Sequence, residues 1–290
     1  MEKFSPITDS VNYTIPAYIR DHRLGYQAVL PAVEALRILS DTVLKHRPQT
    51  DVTRMRDIAF SRLLPVGADD TDVDLRITIQ AVADTGDTRG TLSTRFTSRS
   101  GTITRMKEHI SAVFAAPGTR PNALSRAQPV PPGDMRLYAA QEGFSVSADR
   151  LYRELVPFGP GFQSLTGHIC LFPTHATGMA GTPATTRPAP GILGSPFPLD
   201  AAFHVACAWG QRYARIVAYP VAIRKRTIFK PTAPDEQYAA RVQPLETSGG
   251  RLSFDIRIES LSGEIVEAIS GVEMRPISGV STGPPDWIIA

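Results

Sequence analysis

The amino-acid sequence predicts an α+β fold made of two similar halves, and three observations support this prediction. Each half contains one clear helix, near residues 31–43 and 199–210. Each helix is followed by segments in which apolar and polar residues alternate, which is the periodicity of half-buried strands. Short turns separate these segments, so the strands are expected to form antiparallel sheets. One long helix packed on an antiparallel sheet is an α+β architecture, and here it is predicted twice.

The helix of the first half is predicted to begin near Pro31, because proline suits a first helical position, where its missing N–H would have no partner. Apolar residues recur over 36–43 at spacings of three and four, as in an amphipathic helix. Residues 73–79 alternate between apolar and polar side chains and predict a strand. Residues 98–101 predict a hairpin turn between two further strands.

The helix of the second half is predicted over about 199–210. A segment over 218–229 follows it, and the alternation over 252–258 predicts another strand. The glycine-containing pairs at 249–250 and 262–263 supply turns between the strands.

Two proline-rich stretches interrupt these elements. The stretch over 117–132 predicts an extended, semi-rigid linker near the middle of the chain. It divides the sequence into units predicted at 1–137 and 138–290. The stretch over 173–198 predicts a long loop, and long loops in compact domains are often functional.

The composition is that of a soluble globular protein, with 42% hydrophobic and 20% charged residues. No apolar run approaches the roughly 20 residues that a membrane span needs. Residues 1–20 lack the apolar region of a signal peptide, so a cytoplasmic location is expected. Cys170 and Cys207 have no metal-ligand spacing and are predicted to be buried, reduced thiols.

The net charge of +3 is too weak to indicate a nucleic-acid-binding protein. The one dense basic run is Arg224-Lys225-Arg226, continued by Lys230. Nucleic-acid binding would need a broader basic face with stacking aromatic residues. We interpret the run either as a solvated strand face or as a docking site for an acidic partner.

The second helix combines an apolar sequence with two polar residues. Nearly every residue over 199–209 is apolar, which indicates a helix buried on all sides. Asp200 and His204 are four residues apart and share one face, although a buried carboxylate is costly unless it is paired or protonated. Two interpretations stay open. Asp200 is a helix N-cap beside an ordinary core histidine, or it is a general acid held in an apolar tunnel.

His22 is a candidate partner for Asp200. It lies in the segment that leads into the first helix, and an unperturbed histidine titrates near neutral pH, as acid–base work requires. A lone histidine is more often structural or solvated. The remaining histidines form no metal-ligand cluster and are predicted to be structural: His46, His109, His168 and His175.

Taken together, four segments resemble the dehydratase domains of modular polyketide synthases and animal-type fatty acid synthases. In that family a histidine is followed by a glycine four residues on and by a proline nine residues on. His22 and Pro31 keep the histidine-to-proline spacing. Tyr26 occupies the usual glycine position, and Gly25 precedes it. In the family that glycine lets a backbone N–H approach the thioester carbonyl.

The other three segments lie in the second half. Residues 158–163, Phe-Gly-Pro-Gly-Phe-Gln, are similar to the family's Tyr-Gly-Pro-x-Phe segment, with phenylalanine in place of tyrosine. Asp200 and His204 fit the pattern Asp-x-x-x-His/Gln without change. Residues 219–224 look like the segment that ends in an arginine facing the carrier protein. In addition, residues 107–114 resemble the strand that closes the first of the family's two folding units.

The resemblance implies a double hot-dog fold, in which two antiparallel sheets are each wrapped on a central helix. It implies dehydration of a 3-hydroxyacyl thioester to the 2-enoyl thioester, with His22 as the base at the α-carbon and Asp200 as the acid at the β-hydroxyl. Supporting residues around the substrate are also implied: His204, Gly25, Tyr26, Pro31, Phe158, Gly159 and Pro160.

The resemblance also implies partners. The substrate would be carried on the phosphopantetheine arm of an acyl carrier protein, for which Arg224, Lys225 and Arg226 would form the docking site. Other synthase domains or subunits are expected partners. A homodimer is expected because hot-dog dehydratases commonly pair two-fold. Neither a metal nor a redox cofactor is expected.

Two alternatives remain open at this stage. The first is a double hot-dog cyclase or isomerase of the product-template or pyran-synthase type, since these also use a His/Asp pair. The second is a non-catalytic module that binds acyl carrier protein. A serine hydrolase is disfavoured because the sequence contains no Gly-x-Ser-x-Gly.

Overall fold

Two central helices and a 12-stranded antiparallel sheet make up most of the chain. The computed structural model describes residues 5–97, 104–118, 143–187, 191–276 and 283–290. The first half contains these elements: β1 (Ile7–Thr14), a 3₁₀ helix (Ala17–Asp21), β2 (Arg23–Leu24), β3 (Gln27–Val29), α1 (Ala32–His46), β4 (Asp51–Phe60), β5 (Pro65–Val66), β6 (Asp72–Ala81), β7 (Thr88–Thr97) and β8 (Thr104–Ala115).

The second half has the same kinds of element. They are β9 (Phe144–Ser147), α2 (Ala148–Glu154), a 3₁₀ helix (Pro160–Phe162), β10 (Leu165–Phe172), β11 (His175–Ala180), α3 (Phe197–Trp209), a π-helix (Gly210–Ala214), β12 (Tyr219–Ile228), β13 (Tyr238–Ser248), β14 (Arg251–Ser260), β15 (Ile265–Arg275) and α4 (Asp286–Ile289).

The strand order repeats between the halves. The large sheet runs β1-β6-β7-β8-β4-β12-β15-β14-β13-β11-β10-β9. In each half the first strand after the central helix, β4 or β12, lies at the junction, and the last strand of this sheet before the helix, β1 or β11, lies four positions outward. The short strands β2, β3 and β5 form a separate three-stranded sheet. β4 and β12 pair antiparallel at the junction, with Ile58 opposite Ile223. The predicted α+β double hot dog is therefore confirmed, and its two sheets join edge to edge into one.

The two central helices differ in the faces they bury. α1 buries the apolar stripe that contains Leu36, Leu39 and Val43, as the spacing predicts, and leaves Asp41 and Lys45 exposed to solvent. Every residue of α3 is buried, as its nearly continuous apolar sequence predicts. The apolar core under the sheet is continuous between the halves, so the two units share one interior.

The helix starts follow the sequence with small shifts. α1 begins at Ala32, and Pro31 is its extended N-cap residue rather than its first helical residue. α3 begins at Phe197, two residues before the predicted start, because Pro198 is accommodated in the first turn, where its missing N–H leaves no bond unmade. The predicted strands over 73–79 and 252–258 are confirmed as β6 and β14, and the segment over 218–229 forms β12.

The prediction of a loop over 173–198 is wrong for its first part. β11 forms there and pairs with both β10 and β13. Its buried face consists of alanine and glycine, which carry a weak hydrophobic pattern. At Gly178 an added Cβ would lie 2.9 Å from Leu165 and 3.0 Å from Val205 of α3. The small residues therefore allow β11 to lie against α3, and they conceal the strand in the sequence.

Three predicted features fall outside the described residues: the linker beyond Gly118, the boundary at 137/138 and the hairpin turn over 98–101. The strands on either side of that turn, β7 and β8, pair antiparallel with Thr97 opposite Thr104. Within the part of the chain that the structure describes, no helix combines the length and apolar character needed to cross a membrane.

Candidate active site

A cavity of about 260 Å³ lies where the two halves meet. His22 reaches it from the first half, and Asp200 and His204 reach it from the second. The rest of its wall is mostly apolar, with these residues among those that line it: Leu24, Leu30, Ala35, Leu92, Ile110, Val156, Phe158, Phe203, Ala218 and Met274. The three polar groups singled out in the sequence are thus brought together in one largely apolar chamber.

His22 follows the first 3₁₀ helix and is fixed by a hydrogen bond from its ring. Nδ1 lies 3.1 Å from the carbonyl oxygen of Val29. A carbonyl only accepts, so Nδ1 carries the hydrogen and donates it. In the neutral ring Nε2 then holds the lone pair. The backbone supports this arrangement, because the Val29 amide donates to the His22 carbonyl at 3.0 Å.

Aromatic rings enclose the imidazole of His22. The ring centroid of Phe158 lies 4.5 Å from it and that of Phe162 lies 5.1 Å from it. Burial in these surroundings lowers the pKa of His22 below its ordinary 6.5, and the negative charge of Asp200 opposes the shift. A histidine whose pKa is lowered is neutral at pH 7, which is the form that accepts a proton.

Asp200 lies in the first turn of α3, but it is not the N-cap. That position belongs to Pro196, whose carbonyl accepts the Asp200 amide hydrogen at 3.2 Å. The capping interpretation is therefore wrong. The Asp200 side chain is 6% exposed and lines the cavity. The buried alternative, a carboxyl group in an apolar chamber, is the arrangement found.

His204 lies beside Asp200, one helical turn further along α3. Its Nε2 is 3.1 Å from Asp200 Oδ2, yet their relative orientation does not meet hydrogen-bond geometry. The pair is a close contact and not a well-formed hydrogen bond, because a short distance at a poor angle gives only a weak interaction. Among the described residues, Asp200 Oδ2 therefore has no hydrogen-bond donor.

A tyrosine fixes the other side of the His204 ring. The Tyr152 hydroxyl lies 3.1 Å from His204 Nδ1 and accepts the Leu165 amide hydrogen at 2.8 Å. Burial raises the pKa of Tyr152, so its hydroxyl stays protonated. The Tyr152 hydroxyl therefore donates its hydrogen to His204 Nδ1. In neutral His204 the ring hydrogen then lies on Nε2, on the side of Asp200. Phe158 packs on this ring as well, at 5.1 Å.

The two halves are pinned together directly behind His22. The Asp21 carboxylate accepts the Gly161 amide hydrogen at 2.7 Å, and the Asp21 carbonyl accepts that of Gly159 at 2.8 Å. A Cβ at Gly159 would lie 2.4 Å from Asp21 Oδ1. The Gly-Pro-Gly sequence is thus required for close approach. Gly159 and Pro160 support His22 from behind and do not line the cavity.

Gly25 and Tyr26 do not lie where the sequence predicted. They form the turn between β2 and β3, with Gly25 at φ +61°. The Tyr26 side chain is fully exposed and does not line the cavity. The prediction that these residues support the substrate is wrong, because the hairpin turns them outward. Pro31 is the N-cap of α1 and does not line the cavity, whereas its neighbours Leu30 and Ala32 do.

The predicted basic docking run is divided by the sheet. Arg224 and Lys225 are exposed on β12. Arg226 is buried, at 4% exposure, and forms two hydrogen bonds to the Glu267 carboxylate at 2.7 and 3.2 Å. Its assignment to a docking surface is wrong, because the guanidinium is enclosed under the sheet by an acid of the neighbouring strand. Lys230, which continues the basic run after the end of β12, is exposed.

The remaining histidines and the cysteines are scattered. His46 contacts Asp9 at 2.7 Å, and His175 stacks on Phe172. No group of three histidine, cysteine or acidic side chains suited to a metal occurs in the described residues. Both cysteines are free, Cys170 half-buried and Cys207 buried. Cys207 lines the cavity, and burial raises its pKa to about 11.

Sequence reasoning missed the residues at the end of the cavity where β4 and β12 meet. Residues 61–63 after β4 and residues 219–221 at the start of β12 line it there. His109 lines it too, with Nε2 at 2.8 Å from Thr94 Oγ1 and Nδ1 donating to the Arg62 carbonyl at 3.2 Å. The strand patterns locate both segments, but only the β4–β12 pairing brings them together.

Comparisons with known proteins identify the same architecture. The dehydratase domain of a mycocerosic acid synthase-like polyketide synthase superposes with a TM-score of 0.73 at 16% identity, covering 93% of this chain and 90% of that one. A trans-AT polyketide synthase dehydratase domain from Brevibacillus brevis gives 0.72 at 17% identity, covering 94% of each chain. At these identities the likeness shows the shared double hot-dog fold.

A third structure is also similar. The bifunctional dehydratase-cyclase domain in ambruticin biosynthesis gives a TM-score of 0.68 at 16% identity, covering 93% of this chain and 89% of that one. A comparison with curated proteins finds no match. A family model described as the polyketide synthase dehydratase N-terminal domain matches residues 134–283, more than half of the chain. The matched range includes Asp200 and His204 but not His22. The chain therefore belongs to the polyketide synthase dehydratase family.

Proposed function

We propose that this protein removes water from a 3-hydroxyacyl thioester carried on the phosphopantetheine arm of an acyl carrier protein. The observation that carries the proposal is the shared cavity of His22 and Asp200, one from each half. Family membership supports the reaction class, and the apolar wall suits an acyl chain.

The proposed reaction uses His22 as the base. Its Nε2 lone pair accepts the proton on the α-carbon, and the electrons of that C–H bond become the new α,β double bond. Nδ1 keeps its hydrogen bond to Val29 throughout, which holds the ring in place. Proton transfer by a positioned side chain contributes typically ~10²–10⁴-fold to the rate.

Asp200 is the proposed acid. As the C–O bond at the β-carbon breaks, protonated Asp200 donates its hydrogen to the leaving oxygen, so water departs instead of hydroxide. His22 is then protonated and Asp200 ionised, and return of one proton to Asp200 restores the starting state. His204, fixed by Tyr152, would orient the carboxyl group. The proposed steps use the side chains of His22, Asp200 and His204, so they require no metal and no redox cofactor.

Product mass tests the proposal. The protein is incubated with a 3-hydroxyacyl-pantetheine thioester, and the product is analysed by mass spectrometry, with Asp200→Asn as the inactive control. We expect a 2-enoyl thioester that has lost one water. A product of unchanged mass indicates a cyclase or isomerase, and acyl-carrier binding without turnover indicates a non-catalytic module. Either outcome contradicts dehydration.

A further inference from the structure

Residues 61–63 and 219–221 form the mouth of the cavity. They lie where β4 ends and β12 begins, and these strands pair with Ala59 opposite Ala222. Residues 61–63 are solvent-exposed, although they also line the cavity. The chamber therefore meets solvent at the seam between the two halves.

Arg62 is the cation of this mouth. Among the described residues that line the cavity, it is the one with a permanent positive charge. No carboxylate within the described parts of the chain forms an ion pair with its guanidinium. The nearby acid Glu108 is engaged differently, since it accepts a hydrogen bond from Ser61 at 3.3 Å. Arg62 thus offers a planar, multidentate donor to an anion at the entrance.

The backbone of Arg62 is held in place by His109. The Ser61 amide donates to the His109 carbonyl at 2.9 Å, and the Arg62 amide reaches the same oxygen at 3.5 Å. In return His109 Nδ1 donates to the Arg62 carbonyl at 3.2 Å. Both imidazole nitrogens are occupied, because Nε2 contacts Thr94. His109 therefore positions the entrance segment, and its ring has no donor left for a substrate.

We infer that Arg62 binds the phosphate of the phosphopantetheine arm as the acyl group enters the cavity. This inference rests on the proposed function, because the phosphopantetheine arm is part of the proposed substrate. The arm is neutral and polar over most of its length and carries its phosphate at the end remote from the thioester. An acyl group inside the chamber leaves that phosphate outside, on the side where Arg62 is exposed. Guanidinium groups bind phosphate through paired, charge-assisted hydrogen bonds.

Two substrates that differ only in the phosphate test the inference: a 3-hydroxyacyl-phosphopantetheine thioester and the corresponding pantetheine thioester. For the unaltered protein we expect kcat/KM to be about threefold to tenfold higher with the phosphate, as one exposed charge-assisted contact provides. In Arg62→Gln the ratio should fall to about one, with the pantetheine thioester unaffected. Arg62→Lys should keep part of the preference, and added salt should weaken it.

Arg251→Gln is the matched control. Arg251 is an exposed arginine at the start of β14 and does not line the cavity. Its loss should leave the preference unchanged. An Arg62→Gln protein that keeps the preference, or that slows both substrates equally, overturns the inference.

A binding measurement separates this inference from the proposed function. Calorimetry with stable amide analogues of the two acylated arms measures the same preference without turnover. If neither thioester is dehydrated, the proposed function fails. A phosphate preference in binding that disappears in Arg62→Gln still supports the Arg62 site, and equal affinities for the two analogues reject it.

Discussion

Glu34 and Asp200 are buried acids in the first turns of the two central helices, and their surroundings differ. Glu34 is fully enclosed, accepts the Tyr18 hydroxyl at 2.6 Å and pairs with Arg37 at 2.8 Å. Among the described residues Asp200 has no arginine as an ion-pair partner. It contacts His204 without a well-formed hydrogen bond, and it lines the cavity. Glu34 is a satisfied part of the core, whereas Asp200 faces the space where a substrate would lie.

The other buried glutamates resemble Glu34. Glu267 pairs with Arg226, and Glu259 pairs with Arg241, each at 2.7 Å. Burying a charge is costly unless a partner compensates it. Burial alone therefore does not mark a functional acid in this protein. Among the buried acids of the described residues, Asp200 alone lines the cavity and lacks an arginine partner.

Substitution of the two helix acids should separate these roles. Asp200→Asn should lower kcat for a 3-hydroxyacyl thioester by roughly 10²–10⁴-fold, because the leaving oxygen loses its proton donor. The free energy of unfolding should change by about 1 kcal/mol or less, since no arginine is left unpaired. Steady-state kinetics and urea unfolding of the same samples measure both. A stable Asp200→Asn protein with wild-type kcat contradicts the assignment.

Glu34→Gln should show the opposite pattern. It leaves Arg37 without its closest partner, so the free energy of unfolding should fall by about 1–3 kcal/mol. The effect is moderated because Arg37 also pairs with Asp41 and is partly exposed. We expect kcat to change less than tenfold once the protein is folded. Loss of activity as large as in Asp200→Asn, without loss of stability, would remove the distinction between the two acids.

The pH dependence tests the first half of the site. Burial lowers the pKa of His22, so the neutral base persists below pH 6.5. Activity should therefore be retained at pH 6.5 and should decline as pH falls through the lowered pKa, by about tenfold per unit below it. The profile of kcat/KM against pH measures this acid limb. A decline in kcat/KM centred above pH 6.5 would contradict a lowered pKa of His22.

The smallest expected effect concerns the arginines of β12. Arg224→Glu should raise KM for carrier-bound substrate severalfold and leave a free pantetheine thioester largely unaffected, because only the carrier contacts the exposed run. Arg226→Gln, two residues along, should instead destabilise the protein, since it leaves Glu267 buried and unpaired. Kinetics with both substrates decide the first point. Equal losses on both substrates for Arg224→Glu would reject carrier docking there.

The second half of the site could be predicted from sequence because it is local. Asp200 and His204 occupy one helix, and the spacing of four places them on one face. The apolar residues around them predict burial without knowledge of the rest of the chain. α3 begins two residues before the predicted start, with Pro196 as its N-cap, so Asp200 lies within the first turn.

The first half of the site depends on contacts between distant residues. His22 is positioned through Asp21, whose carboxylate binds Gly161, 140 residues away in the sequence. The burial of Arg226 depends on Glu267 of a neighbouring strand, and the outward turn of Tyr26 depends on the β2–β3 hairpin. Periodicity and spacing contain no information on such pairings, so the sequence predicts which residue types the site contains but not how their side chains are oriented.

The central claim is that His22 and Asp200 act as one base–acid pair, and its most direct test is the rate at which a 3-hydroxyacyl-pantetheine thioester loses water. The rate is measured by mass spectrometry for the unaltered protein, His22→Ala, Asp200→Asn and the double variant. We predict that each single variant loses most of the activity and that the double variant is little worse than the slower single one, as for residues that act as a unit. Wild-type rates of water loss in both single variants would contradict the account.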